Sequence, residues 1–510
     1  MKHWDQMTPG EARAYQNYQL RKFIQGQVLP YSPHYREILG QVGPVNTVED
    51  LQKLPFTSKS DLLPTDANPK RPRDFLLQPD PDKLRKKPST IAKAILFGRE
   101  RVQRQLREEY QPLLLTSTTG RSADPIPFLH TAHDIANLRK AGARIIELGD
   151  VQPGERVANL FPYAPHLAYW LAHYAAQEKL LFSIGTGGGK LLGTSGNLDM
   201  LEKIDPAILV GMPTFLYHLL RQGAEEGRQL PGLRCLAFGG EKVAPGTRRK
   251  LAKLAKALGA DNITTLATYG FTEAKMAFPE CATPVGEEST GYHLFPDLGV
   301  VEVIDPETGE VLPEGHKGEI VFTPINARGT LVLRYRTGDL IEGGLVHDRC
   351  PQCGRNVPRL VGRISRVSGI HSMALHKIKG TLVDFNEIEH VLDDVDEVGT
   401  WQIELRKIND DPLELDTVIL RATLAEGASP DPTRKILETR LIQAAELRPN
   451  LIEFCSEKEM GELQGLGTAL KEERIVDHRA KAAPKKRKAH TPVASLRRRN
   501  RRSNAHVNQP

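Results

Sequence analysis

The 510-residue sequence has no apolar run near the roughly 20 residues that a membrane-spanning helix needs, and its mean hydropathy is −0.39. Its opening segment, MKHWDQMTPGEARAY, lacks the apolar core of a secretory signal peptide. It contains only five cysteines, a number too small and too odd for a disulfide scaffold. We therefore expect a globular protein of the reducing cytoplasm that does not span a membrane.

Acidic residues are missing from residues 480–510, which contain ten Lys or Arg and no Asp or Glu. The whole chain carries a net charge of +6, so residues 1–479 carry −4. Because the tail has few large apolar residues, we expect it to be disordered. Its runs PKKRK (484–488) and RRRNRR (497–502) can bind nucleic-acid phosphates or act as an import signal. A solubilising tail with weak, salt-sensitive affinity for polyanions is an equally open interpretation.

The apolar pattern predicts a helical, loop-rich region up to about residue 110, with a helix over 11–23. Short apolar runs then alternate with helices over 134–148 and 247–258, which predicts parallel α/β units. These runs are VANLF (157–161), AILVG (207–211), CLAFGG (235–240) and ITTLATYG (263–270).

An antiparallel meander is predicted from residue 299, built from GVVEVID, GEIVFT and TLVLRYR. Beyond residue 365, helices over 383–395 and 431–447 alternate with strands over 401–405 and 415–424. The predicted fold class is therefore α/β: a large domain over 1–365 with parallel sheets and a β-meander, a small mobile α+β domain over 366–479, and the tail.

Three short motifs carry side chains suited to nucleotide chemistry. The hydroxyl-rich loop TSTTG (116–120) can wrap phosphate oxygens, but an ordinary Ser/Thr turn has the same composition. In YGFTE (269–273), a carboxylate beyond a strand end can hold a metal ion, or it can cap a helix. In RYRTGDL (334–340), the Asp can bind a ribose diol, or it can belong to a plain β-turn.

The order and spacing of these motifs resemble the adenylate-forming acid–CoA ligases, and among them the phenylacetate–CoA ligase branch. The resemblance covers about residues 10–479 and also includes LPFTSKSDL (54–62), FGGE (238–241), GYHLFPDLGVVEVIDPETGE (291–310), CPQCGRNVPRLVGR (350–363) and RIVDHR (474–479). It implies ATP-dependent activation of a carboxylic acid, an aromatic one such as phenylacetate, to an acyl-adenylate with release of pyrophosphate. Coenzyme A then displaces AMP to give a thioester.

The resemblance also assigns roles to individual residues. Catalysis falls to Lys471, Glu273 and Thr119, and Glu273 also binds Mg²⁺. Tyr269 stacks on the adenine, Asp339 binds the ribose, and residues 116–120 hold the triphosphate. The complete set of expected nucleotide-binding residues is Thr116, Ser117, Thr118, Gly120, Gly239, Gly240, Glu241, Tyr269, Gly270, Thr272, Asp339 and Arg363.

Several positions depart from the family pattern. Ser117 replaces a usual Gly and Arg121 a usual Lys in the phosphate loop. Ser365 and Arg366 stand where relatives have an acidic pair at the domain hinge, and Leu470 replaces the Gly before the C-terminal lysine.

The CxxC pair Cys350 and Cys353 can supply two thiolates to a Zn²⁺ ion. By resemblance to some ligases of this branch, Cys281 and His293 complete a closed structural site. A redox pair and bystander thiols are the rival interpretations. The glycine-rich run GTGGGK (185–190) fails the phosphate-loop pattern because Leu191 follows its lysine, and by resemblance it borders the acyl pocket.

Two other function classes remain open. The first is an adenylating enzyme that transfers AMP or the acyl group to a cofactor or protein instead of CoA. The second is a catalytically weak nucleotide-binding protein with a nucleic-acid-binding tail. The expected partners are a small carboxylic acid, ATP and CoA, with Mg²⁺ and Zn²⁺ as ions. Neither the acid nor the oligomeric state follows from the sequence.

Overall fold

We analysed a computed structural model, which describes residues 3–118, 125–366, 375–378, 381–408, 416–445, 447–466 and 472–479. The basic tail therefore lies outside the described residues. The helices are α1 (Pro9–Phe23), α2 (Leu29–Tyr31), α3 (Pro33–Val42), α4 (Lys59–Leu62), α5 (Pro81–Lys86), α6 (Pro88–Phe97), α7 (Arg99–Tyr110), α8 (Ala132–Leu148), α9 (Leu167–Glu178), α10 (Gly189–Ile204), α11 (Pro213–Glu225), α12 (Pro245–Ala257), α13 (Phe385–Asp394), α14 (Pro430–Ala445) and α15 (Glu457–Gln464).

The strands lie between these helices and after them. They are β1 (Pro112–Ser117), β2 (Pro127–Thr131), β3 (Arg156–Asn159), β4 (Phe182–Gly185), β5 (Ile208–Gly211), β6 (Cys235–Phe238), β7 (Thr264–Phe271), β8 (Met276–Pro279), β9 (Thr283–Pro284), β10 (Tyr292–His293), β11 (Gly299–Ile304), β12 (Gly318–Pro324), β13 (Tyr335–Ile341), β14 (Leu345–Val346), β15 (Arg359–Leu360), β16 (Ile364–Arg366), β17 (Leu375–Ile378), β18 (Thr381–Asp384), β19 (Val398–Lys407), β20 (Asp416–Leu424), β21 (Leu451–Phe454) and β22 (Ile475–Asp477). Within the described ranges, no helix combines the length and apolar character that crossing a membrane requires.

A mainly parallel sheet forms the centre of the large domain, in the order β4-β3-β5-β6-β7-β8. Strands β4 to β7 pair in parallel, and β8 closes the edge antiparallel to β7. The four apolar runs predicted as buried strands are confirmed as β3, β5, β6 and β7. Helix α8 is confirmed as well: the side chain of Thr131 caps its first turn, and it ends at Gly149.

The predicted meander is a four-stranded antiparallel sheet in the order β11-β12-β13-β16. The prediction of a strand over 330–336 was wrong for its first five residues, because β13 begins only at Tyr335. The preceding residues instead bond to other segments: Thr330 N–H donates to Leu129 O and Leu331 N–H to Phe75 O. Arg334 then adopts a left-handed backbone conformation with φ of 46°, which breaks the extended run.

The α+β segment that follows is confirmed as a four-stranded sheet in the order β21-β20-β19-β22, with α13 and α14 against it. Its own apolar core centres on Trp401, Leu420 and Leu437, all buried. This segment packs on helices α11 and α12 of the large domain. At Gly246 in α12, an added Cβ would lie 2.3 Å from Asp393 O, so only glycine permits this close approach.

Candidate functional site

The two most specific motifs meet at the carboxyl end of β7. Glu273 lies in the short helical turn Thr272–Ala274 that follows this strand, and its side chain is buried. The Tyr335 hydroxyl, from the start of β13, donates to Glu273 Oε1 at 2.6 Å. Burial raises the pKa of the Glu273 carboxyl above its usual range, although this hydrogen bond opposes the shift.

A second tyrosine–carboxylate pair runs in the opposite direction between the same two motifs. Tyr269, near the end of β7, donates from its hydroxyl to Asp339 Oδ2 in β13 at 2.9 Å. Each motif therefore supplies one tyrosine and one carboxylate, and each tyrosine bonds the carboxylate of the other motif. This exchange ties the end of β7 in the central sheet to β13 of the antiparallel sheet, and it fixes one buried acid on each.

Asp339 makes a further contact that the sequence did not predict. Arg366, in the edge strand β16, places its Nη1 atom 2.9 Å from Asp339 Oδ1, and it also donates to Thr337 O. Burial raises the pKa of the Asp339 carboxyl, and the Arg366 guanidinium partly offsets that rise. Both carboxylate oxygens of Asp339 thus have protein donors.

The FGGE segment lies beyond β6, next to this pair of acids in the sheet order. Glu241 Oε2 accepts a 2.6 Å hydrogen bond from the Thr214 hydroxyl of α11. Gly240 has a φ of +81°, a conformation that favours glycine, and a Cβ on Gly239 would come within 3.0 Å of Thr268 Oγ1. Gly239 and Gly240 therefore present backbone atoms rather than side chains beyond the carboxyl end of β6.

The start of the hydroxyl-rich loop is tied to the protein itself. Thr116 Oγ1 lies 2.9 Å from His130 Nε2, and burial lowers the pKa of His130 to about 3, so this ring is neutral. Ser117 N–H donates to Pro165 O, and Thr118 N–H donates to Ile126 O. The backbone donors of Ser117 and Thr118 are thus used within the fold.

The remaining expected site residues are placed less closely. Gly270 and Thr272 flank the β7 end beside Tyr269 and Glu273. Arg363 is half exposed and donates to Glu342 at 3.0 Å, rather than turning towards Asp339. Thr119, Gly120 and Lys471 lie outside the described residues.

Residues next to Lys471 are described and contact the large domain. Glu472 Oε1 lies 3.4 Å from His218 Nε2 of α11. Arg474 donates to Asp393 of α13, within the small domain, at 2.8 Å, and Lys242 of the large domain lies 3.5 Å from Glu389 of α13. Glu472 therefore lies beside α11 of the large domain.

A second site lies apart from the two acids. Cys281, His293, Cys350 and Cys353 come together with all ligand atoms within 4.8 Å of one another, as the sequence predicted. The Sγ atoms of Cys281 and Cys350 are 3.9 Å apart, and His293 Nε2 is 3.7 Å from Cys281 Sγ and 3.3 Å from Cys353 Sγ. Tetrahedral Zn²⁺ with bonds of about 2.3 Å to sulfur requires sulfur atoms about 3.8 Å apart, so the donors fit this ion.

The surroundings of this cluster also suit a metal site. His293 Nδ1 lies 3.2 Å from Pro279 O, an arrangement that leaves Nε2 as the ligand atom. The four residues come from the loop after β8, from β10 and from the loop after β14. An ion held there would join three chain segments and leave no open coordination position.

Comparison with known proteins agrees with this geometry. The sequence pattern of the AMP-binding enzyme family matches residues 171–329. A phenylacetate-coenzyme A ligase of Thermus thermophilus is 25% identical over 437 residues, covering 85% of this chain and 86% of that protein. A phenylacetate-coenzyme A ligase of Aromatoleum evansii is 26% identical over 314 residues, covering 60% of this chain and 61% of that protein.

The chain is therefore similar to AMP-binding enzymes over residues 171–329 and to phenylacetate-coenzyme A ligases over most of its length. Its fold matches that of a 2-hydroxyisobutyryl-CoA ligase in the postadenylation state, with a TM-score of 0.70, 20% identity, and coverage of 93% and 91% of the two chains. The same ligase in its thioesterification state gives a TM-score of 0.57. The fold of this chain is thus more similar to the first of these two structures.

Three contributors to the candidate site were not predicted from the sequence. Tyr335 stood within RYRTGDL, but its hydroxyl bond to Glu273 depends on how β13 packs beside β7. His130 showed no ligand spacing, and its partner Thr116 lies on a paired strand. Arg366 was noted only as a departure at the hinge, and its unusual charge at that position was the available signal.

Proposed function

We propose that the protein activates a carboxylic acid with ATP to an acyl-adenylate and then transfers the acyl group to coenzyme A. The observation that carries this proposal is the exchange of tyrosine–carboxylate bonds between YGFTE and RYRTGDL. It brings a carboxylate of a metal-binding type and a carboxylate of a diol-binding type to the carboxyl end of β7. Open α/β sheets bind nucleotides at the carboxyl ends of their strands.

The roles follow from the chemistry of each group. Asp339 accepts hydrogen bonds from the ribose hydroxyls through the lone pairs that its two present donors leave unused. Tyr269 packs against the adenine beside the backbone of residues 239–241. Glu273 holds Mg²⁺, and the ion, when bound, neutralises charge on the transferring phosphate.

The phosphate loop of this proposal begins later than the motif suggests. Because the Thr116 hydroxyl and the Ser117 and Thr118 amides already have partners, the phosphate donors of this proposal are the hydroxyls of Ser117 and Thr118 and the residues from Thr119 onwards. Thr118 Oγ1 accepts from Ile126 N–H and keeps its own proton for a phosphate oxygen. The first half of the loop is thus a scaffold for the second.

The two half-reactions balance without any redox partner. A carboxylate oxygen of the acid bonds to the α-phosphorus while the bond to the pyrophosphate oxygen breaks. The CoA thiolate then bonds to the carbonyl carbon, and AMP leaves with its oxygen. Lys471 places a positive charge between carboxylate and α-phosphate in the first step, while Arg363 contacts the nucleotide after turning from Glu342. The small domain over 366–479 moves between the steps.

We propose that Cys281, His293, Cys350 and Cys353 hold a structural Zn²⁺ ion. The donor distances support it, and four protein ligands leave no position for substrate. Reduced thiolates in such a cluster accord with a cytoplasmic location. Metal analysis that finds less than about a tenth of an equivalent of zinc would reject this assignment.

The direct test is ATP–pyrophosphate exchange with a panel of acids led by phenylacetate, followed by AMP release with and without CoA. CoA-dependent AMP release supports the ligase. Exchange without any CoA effect would favour transfer of AMP or the acyl group to another acceptor. Phenylacetate stands first because the two relatives compared above are phenylacetate-coenzyme A ligases.

A further inference from the structure

Helix α6 presents its apolar side chains to solvent. Its large apolar residues have exposed fractions of 48% for Ile91, 79% for Ile95, 74% for Leu96 and 54% for Phe97. The neighbouring helices α5 and α7 bury Leu84 and Val102, whereas α6 buries none of its residues. An apolar helix that contributes nothing to the core of the chain marks a contact surface.

Positive charge surrounds this helix. Residues 83–107 contain nine Lys or Arg and a single acidic residue, Glu100. Eight of the cations are exposed, namely Lys83, Arg85, Lys86, Lys93, Arg99, Arg101, Arg104 and Arg107. The Arg101 guanidinium lies 5.4 Å from the centre of the Phe97 ring, so this cation lies against the apolar side chains of α6. Two of the other cations pair with acids that flank the segment, Arg85 with Asp82 and Arg104 with Glu108. We call Ile91, Ile95, Leu96, Phe97 and these eight cations the α6 surface.

The charge decides among the possible occupants. A second copy of the chain in a two-fold dimer would bring this basic surface against itself, which like-charge repulsion disfavours. Like-charge repulsion also excludes the basic tail of this chain as the occupant of the α6 surface. A nucleic-acid backbone would satisfy the cations but would leave four large apolar side chains against phosphate and water.

We propose that the α6 surface binds the anionic face of a lipid bilayer. The aliphatic and aromatic side chains of α6 enter the boundary between headgroups and acyl chains, and the surrounding Lys and Arg contact the anionic headgroups. Helix α7 leads directly into β1, whose Leu113 and Leu115 lie on one face of the strand and are also exposed. The apolar character thus continues along the chain towards the phosphate loop.

The test is co-sedimentation of the full-length protein with vesicles of phosphatidylcholine alone and of phosphatidylcholine mixed with phosphatidylglycerol. We expect binding to the mixed vesicles, weak binding to the neutral ones, and loss of binding in high salt. The double variant Ile95→Ser, Leu96→Ser should lower partitioning by about tenfold or more, since it removes the two most exposed side chains. Leu180→Ser is the matched control, because Leu180 is 78% exposed but lies outside the basic region, and it should leave binding unchanged.

The full chain also contains the basic tail, so the outcome must separate the two regions. Equal binding of the double variant and the wild type would assign any vesicle affinity to the tail and overturn the proposal. The proposal would also be overturned if the wild type failed to bind vesicles. It would be overturned as well if the double variant lost affinity for DNA to the same extent as it lost affinity for vesicles. As an independent measurement, Trp emission of a Phe97→Trp variant should shift to the blue on mixed vesicles and be quenched by brominated lipid. Unchanged emission of vesicle-bound protein would contradict insertion.

Discussion

The Nη1 atom of Arg366 lies 2.9 Å from Oδ1 of Asp339, the carboxylate expected to bind the ribose. Tyr269 donates to the other oxygen, so a diol at Asp339 would approach a carboxylate that already has two donors. Arg366 is the more exposed of the two donors, with a side chain that is 61% exposed. Because this residue stands at the predicted hinge, we expect its contact with Asp339 to depend on the position of the small domain.

We expect Arg366→Ala to bind ATP about two- to fivefold more tightly, since a partly exposed ion pair contributes at most about 1 kcal/mol. Arg366→Lys keeps a cation at this position and should stay near the wild-type affinity. Titration calorimetry with a non-hydrolysable ATP analogue measures both. A weaker affinity in Arg366→Ala would mean that the guanidinium holds the nucleotide rather than competing with it.

Removing the Tyr335 hydroxyl should impair the adjacent acid. In Tyr335→Phe, the buried Glu273 carboxylate loses a 2.6 Å donor, so its pKa, already raised by burial, rises further. Because Glu273 must be ionised to hold Mg²⁺, the acidic limb of the pH–rate profile should move to higher pH. Tyr31→Phe removes the hydroxyl of a buried tyrosine in α2 and serves as the control. A profile identical to wild type in Tyr335→Phe would refute the role of the bond.

A buried ion pair makes the stability of the large domain pH-dependent. Arg144 donates two 2.8 Å hydrogen bonds to Asp297, and both side chains are buried. Burial alone would raise the pKa of Asp297, but the Arg144 hydrogen bonds and charge hold it below its usual range. The pKa of Asp297 is lower in the folded protein than in the unfolded chain. The ionised carboxylate therefore stabilises the fold at pH values above its unfolded pKa, and this contribution is lost as the pH falls through its folded pKa.

Asp297→Asn should therefore lower the free energy of unfolding by about 3–5 kcal/mol near neutral pH, because it leaves the Arg144 charge buried without its partner. The difference between variant and wild type should shrink as the pH is lowered. Urea denaturation of both proteins between neutral and acidic pH measures this. A constant difference across the series would show that Asp297 acts through packing alone.

Zinc removal should destabilise the protein without changing its chemistry. We expect about one equivalent of zinc in the wild type and a lower Tm for Cys353→Ser, with AMP formation retained at temperatures well below that Tm. Cys455→Ser changes a thiol outside the cluster and should keep both the metal and the Tm. Loss of AMP formation in a folded, zinc-free protein would indicate a catalytic ion instead.

Much of the fold could be predicted because its signals are local. The strands β3, β5, β6 and β7 are continuous apolar runs, and α8 combines a helical apolar face with a Thr131 cap and a Gly149 stop. The strand prediction over 330–336 failed because tertiary hydrogen bonds from Thr330 and Leu331 overrode an apolar pattern. Such partners, far away in sequence, have no local signature.

The candidate site could likewise be predicted only in part from the sequence. The CxxC pair was recognised from its spacing, whereas Cys281, His293 and the roles of Glu273 and Asp339 came from the family resemblance. The structure brings the four Cys and His side chains together and links the motifs of the two acids through Tyr269 and Tyr335. The contact between Arg366 and Asp339 was not foreseen, because it depends on the pairing of β16 with β13. The α6 surface was hidden too: the average charge of residues 1–479 is slightly acidic and masks a strongly basic segment over 83–107.

The most direct test of the central claim is acid-dependent ATP–pyrophosphate exchange by the wild type and by Lys471→Ala. At least one acid of an aromatic panel should support exchange by the wild type. The variant should lose that exchange by about a hundredfold or more, because a positioned charge between carboxylate and α-phosphate is removed. Exchange with no acid at all, or equal exchange by both proteins, would contradict the assignment of this chain as an adenylate-forming ligase.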